Sequence, residues 1–138
     1  MERKQWTTGP HLLEFEPPDL FHCYVRGIVL VAEIKESFKI MQEEVIPKVG
    51  DVYLLVHMED VGAEVITEEA RKYLLTGDLP WKGALVIGGT SLTRIAMNIF
   101  SQTMNTLSGK RRLMKAVGTR KEALSCINEW RSASTGPR

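Results

Sequence analysis

Hydrophobic positions along the chain follow two rhythms. Val52 to Met58 and Ala84 to Ile87 are nearly unbroken apolar runs, the mark of strands covered on both faces. His11 to Glu16 alternates and stops at Pro17-Pro18, and Leu20 to Arg26 reads as a second strand; the short connection makes the two antiparallel neighbours. Elsewhere the spacing is helical. Val31, Ile34, Phe38, Met41 and Val45 form one stripe, predicting a helix over Ile28 to Val49 that Pro47 and Gly50 end. Thr67 is placed to cap a helix opening with Glu68 and Glu69 and closed by Gly77. Gly88-Gly89-Thr90-Ser91 turns the chain into a longer helix whose stripe reads Leu92, Ile95, Ala96, Ile99, Phe100, Thr103 and Leu107. Leu113 to Val117 is a modest last strand. Thr119 and Glu122 match a capping box, and Ala123, Leu124, Ile127 and Trp130 give the final helix its buried face.

These elements predict an α/β fold in the order β-β-α-β-α-β-α-β-α. A central, mostly parallel five-stranded sheet follows an N-terminal antiparallel hairpin, with right-handed crossovers and helices packed on the sheet. Residues 1–10 read as a flexible lead-in, 11–131 as a single domain and 132–138 as a disordered tail.

Composition narrows the classes further. The chain has 138 residues, enough for one sizeable core, and 43% hydrophobic with 25% charged residues is an ordinary globular balance. The net charge of +1 argues against wholesale nucleic-acid binding. Cys23 and Cys126 each fall in apolar-periodic segments, which predicts two buried free thiols and a cytoplasmic setting. No stretch is long and apolar enough to span a membrane, and the first residues lack the apolar core of a signal peptide.

Three stretches carry a resemblance: Asp51-Val52-Tyr53-Leu54-Leu55-Val56 with Thr67-Glu68-Glu69-Ala70-Arg71, Gly83-Ala84-Leu85-Val86-Ile87-Gly88, and Thr119-Arg120-Lys121-Glu122-Ala123-Leu124. With these the chain resembles a stand-alone STAS-like domain, as in bacterial anti-sigma factor antagonists, and is similar to the bacterial subgroup grouped with CRAL-TRIO lipid carriers. The resemblance implies a regulatory or binding module without catalysis. In that family a phosphorylated Ser follows an Asp at the start of the helix after the central strand. Here the region reads Val65-Ile66-Thr67-Glu68-Glu69, without that pair, and Thr67 is the nearest candidate phosphoacceptor.

Several groups of residues have both a functional and a plain reading. Gly88-Gly89-Thr90-Ser91 suits an anion but lacks the Lys of a phosphate-binding loop, and equally makes a turn and a cap. His57, Glu59 and Asp60 suggest acid–base chemistry or a metal, yet match no metal spacing and have no nucleophile to activate, so a solvated acidic loop is favoured. His11 and His22 read as structural. Lys110, Arg111, Arg112, Lys115, Arg120 and Lys121 are a basic concentration without the interleaved aromatics that single-stranded nucleic acid requires. Met97 and Met104, with Phe100, widen the apolar arc of the long helix, which points to a core helix, a homodimer or protein-docking face, or an apolar-ligand groove.

The expected function is a non-catalytic regulatory module. It recognises a protein partner through Glu59, Asp60, Thr67, Glu68, Thr90, Ser91 and Arg94. The alternative is a small carrier or sensor of a lipid or other apolar ligand held between the sheet and the Met97, Phe100 and Met104 face. No residue pattern calls for a cofactor or a metal.

Overall fold

The computed structural model describes residues 1–76, 79–108 and 113–135. Its centre is a six-stranded mixed sheet in the order β1-β2-β3-β4-β5-β6. The strands are β1 (Lys4–Thr8), β2 (His11–Glu16), β3 (Leu20–Tyr24), β4 (Tyr53–His57), β5 (Gly83–Ile87) and β6 (Leu113–Val117). β1, β2 and β3 form an antiparallel meander, and β3 to β6 run parallel. The α/β class therefore stands, while the strand number and element order are corrected from five to six.

The added strand is β1, in the segment expected to be a loose lead-in. Lys-Gln-Trp-Thr-Thr has one large apolar side chain, too little to register as a strand by pattern. Its backbone nevertheless pairs along β2 from Lys4 opposite Phe15 to Thr8 opposite His11. Trp6 stacks on Phe21 at 5.8 Å, and Lys4 Nζ reaches Glu44 at 3.3 Å. Tertiary contacts rather than propensity make this strand.

The first predicted helix is also redrawn. It begins at Val31, not Ile28, because Val29 is held in extended form: its N–H donates to Val65 O at 2.8 Å and it bridges to Ile66. After α1 (Val31–Ile40) the chain widens into a π-turn over Met41–Val45 and resumes as α2 (Ile46–Val49). Pro47 explains the widening, since it brings no N–H and its ring clashes with the carbonyl four residues back. Gly50 ends the helix at φ 84°, a conformation that favours glycine.

The remaining helices are α3 (Glu68–Thr76), α4 (Ser91–Ser108) and α5 (Arg120–Thr135), so part of the expected tail is helical. Because β3 to β6 are added in one direction, right-handed crossovers place α1, α3 and α4 on the same face. Leu13, Phe15, Phe21, Leu54 and Ala84 pack there with Ile34, Phe38, Met41, Val45, Ala70 and Trp81. α5 follows the last strand, is free of that constraint, and covers the other face: Ala123, Cys126 and Ile127 pack on Leu20, Tyr53, Leu55, Leu85, Ile87 and Val117. Asp19, in the turn between β2 and β3, accepts hydrogen bonds from Arg131 and fastens the far end of α5. No described helix is long and apolar enough to cross a membrane.

Candidate functional site

The parallel strands β3 to β6 end together, and four connections leave from that edge, to α1, α3, α4 and α5. Ligands of open parallel sheets gather at such an edge. Thr67, by its hydroxyl, accepts the Ala70 N–H at 3.1 Å and donates to Val29 O at 3.3 Å, so it caps α3 and ties it to the segment before α1. Glu68 is exposed and pairs with Lys72 along the helix at 3.5 Å. Thr90 and Ser91 are exposed at the start of α4, and Arg94 folds back to donate to Gly89 O at 2.9 Å and to Ser91 Oγ at 3.2 Å. Gly88 has φ 101°, and a Cβ there would lie 2.9 Å from the Glu59 backbone, so the loops after β4 and β5 are in contact. Glu59 in turn accepts from Arg120 Nε at 3.2 Å, reaching the first turn of α5. Asp60 is exposed beside it. The residues expected to meet a partner thus lie along one rim. In the predicted capping box at α5, Glu122 N–H donates to Thr119 Oγ1 at 3.2 Å.

A cavity of about 140 Å³ lies between the sheet and the helix layer. Its floor includes Phe21, Cys23, Leu54, Val56 and Ala84, and its roof includes Phe38, Leu74, Trp81 and Met97. Polar side chains on its wall are already engaged. Ser37 donates to Glu33 O at 2.9 Å, Ser101 to Met97 O at 3.1 Å and Thr8 to Glu36 at 3.1 Å. His11 accepts the Arg26 N–H through Nδ1 at 3.1 Å, which leaves its Nε2–H to donate to Glu33 at 3.1 Å. Burial, helped by Glu33, pushes the Cys23 thiol up to about 12, so it is neutral at physiological pH. Lys115 of β6 also borders the space and is exposed to water, so what remains open to an occupant is almost entirely hydrocarbon surface. The volume is comparable to that of an apolar cavity that takes up benzene or xenon, about 150 Å³.

The long helix corrects one expectation. Ile95 and Ile99, read as part of its buried stripe, are 56% and 58% exposed. Met97 and Ser101 face inward instead, and Asn98 Oδ1 accepts the Ala116 N–H of β6 at 3.0 Å. The side chains of Phe100 and Met104 lie outside the described residues, as do Lys110, Arg111 and Arg112 of the basic concentration. Both cysteines are free, on opposite faces of the sheet.

On the face away from the cavity the structure assembles a cluster that sequence reasoning dispersed. Glu16 Oε1 is 2.8 Å from His22 Nε2, His22 Nδ1 is 2.8 Å from His57 Nε2, and His57 Nδ1 is 3.4 Å from Glu59. Tyr24 lies over His57 at 4.3 Å, and the Arg120 guanidinium lies 5.8 Å from the Tyr24 ring centre. Glu16 and Glu59 are 43 positions apart, so only the β3–β4 register, Tyr24 opposite His57, brings their histidines together. That register was the missing signal. Among the described residues no group of three or more His, Cys, Asp or Glu side chains is arranged to hold a metal ion.

No family model, curated protein or solved structure matches this chain.

Proposed function

We propose that this protein is a non-catalytic, STAS-like module that binds a small apolar ligand between its sheet and its helix layer. The observation that supports it is the 140 Å³ cavity, whose wall is almost entirely hydrocarbon, with the Lys115 side chain at its border exposed to water. Filling such a space with matching hydrocarbon gains about 25 cal/mol for each Å² of apolar surface removed from water. A ligand with a charged head must keep that head outside.

Toluene tests the reading. At ten times its dissociation constant it adds about 1.4 kcal/mol to the folded state and raises the melting temperature by several degrees. Ala84→Leu, which pushes a larger side chain into the cavity floor, abolishes the rise. No change in wild-type melting up to the solubility of toluene contradicts the proposal.

A second reading rests on the rim. Glu59, Asp60, Thr90 and Ser91 are presented together beside Arg94 and Arg120, a mixed-charge surface suited to a protein partner. Ligand in the cavity and partner on the rim are compatible, because Val56 lines the cavity while Glu59 and Asp60, past the end of β4, are exposed on the rim.

A further inference from the structure

The Glu16–His22–His57–Glu59 chain contains three contacts between four side chains, and each contact needs one hydrogen. Two neutral imidazoles supply two. If His22 donates to Glu16 and His57 donates to His22, the Nδ1 of His57 faces Glu59 without a hydrogen. A third ring proton completes all three contacts, giving a pair with one positive charge between two carboxylates. A fourth has no place, because it would set two N–H groups against each other across the 2.8 Å between His22 Nδ1 and His57 Nε2.

We propose that the His22–His57 pair is an acid-sensitive latch: it stores one extra proton within its hydrogen-bond chain, and entry of the next forces the rings apart and frees the start of α5 from the strand ends. The parts that would move are stacked on the pair. The two histidine ring centres are 5.1 Å apart with 2.8 Å between the facing nitrogens, so the rings meet edge to edge. Tyr24 is parallel to both within 13° and lies on them as a lid, 4.3 Å from His57 and 5.8 Å from His22. Arg120, in the first turn of α5, covers Tyr24 and donates to Glu59. His22 and His57 are 7% and 5% exposed, so a charged pair cannot be relieved by water without a rearrangement.

The charged surroundings are complete enough to set the direction. Arg3, just before β1, lies 3.3 Å from Glu14 and 4.0 Å from Glu16. β2 contributes Glu14, opposite His22 in the strand register, and Glu16. β3 and β4 contribute Tyr24, the two histidines and, just beyond, Glu59. α5 contributes Arg120. The Glu59 carboxylate, by its hydrogen bond and its charge, favours a proton on His57. Burial, then repulsion from His22, pushes the His57 imidazole down to about 4, which is the resistance expected of the last proton.

The test is a side-chain nitrogen NMR titration of both imidazoles in the full chain from pH 7.5 to 3.5, with Tyr24 ring shifts and Ala123 amide exchange read alongside. The expected result is a coupled titration of the two rings. Near its acid end Tyr24 loses its ring-current shifts and Ala123 exchange rises at least tenfold. In His22→Gln the repelling charge is gone, so His57 protonates while Tyr24 and Ala123 keep their neutral-pH behaviour. Independent titration of the two rings, or Tyr24 and Ala123 unmoved when both rings are charged, overturns the latch. So does His22→Gln opening at the same pH as wild type. If that variant does not fold, the wild-type titration decides alone.

Discussion

His57 shows how one side chain ties folding to pH. In the folded chain burial, then repulsion from a charged His22, pushes its imidazole down to about 4 from the usual 6.5, so the buried pair holds one proton where the two rings in the unfolded chain hold two. Between these values the unfolded chain takes up a proton that the folded chain refuses. Stability from this residue is therefore full above pH 6.5 and falls as pH drops toward 4. The loss is on the order of 2 kcal/mol after allowance for solvent screening. Urea unfolding across that interval measures it, and His57→Gln flattens the slope. Thr67 acts through its hydroxyl alone. Thr67→Ala gives up the Ala70 cap and the Val29 contact, and loses about 1 kcal/mol by the same measurement, while Thr67→Ser recovers most of it. The Thr67 cap was legible in sequence, because capping is local. The role of His22 was not, because a histidine inside an apolar strand looks the same whether or not another histidine faces it from the next strand.

At the scale of elements, the parallel strands β4 and β5 were plain because each is covered on both faces and reads as continuous apolar residues. β1 was hidden because an edge strand needs few apolar side chains when its partner supplies the core. Trp6 carries its packing. Trp6→Ala is expected to cost about 2 kcal/mol in urea unfolding, less than a fully buried Trp. Trp6→Phe keeps the stack on Phe21 and removes an indole N–H that is buried without a partner among the described residues, so it costs under about 1 kcal/mol. The orientation of α4 was misread for a different reason. Its apolar residues occupy much of the circumference, so periodicity alone does not decide which arc faces the sheet. The Asn98 bond to Ala116, together with Met97 and Ser101 on the cavity wall, decides it and leaves Ile95 and Ile99 outside.

Over the whole molecule the sheet separates two kinds of chemistry. One face holds hydrocarbon around a partly open space, and the other holds a titratable cluster near the start of α5. Strands β3 and β4 present Cys23 and Val56 to the first, and His22, Tyr24 and His57 to the second. The proposed binding function needs no reacting group, only a space that folding leaves unfilled and an edge that others can touch. A crystal pressurised with xenon tests the central claim most directly, since xenon enters dry apolar space and is indifferent to ligand identity. A xenon peak is expected between Leu54, Val56 and Ala84 below and Phe38 and Trp81 above, absent in Ala84→Leu. A cavity that stays without xenon, or that is filled by ordered water, would contradict it.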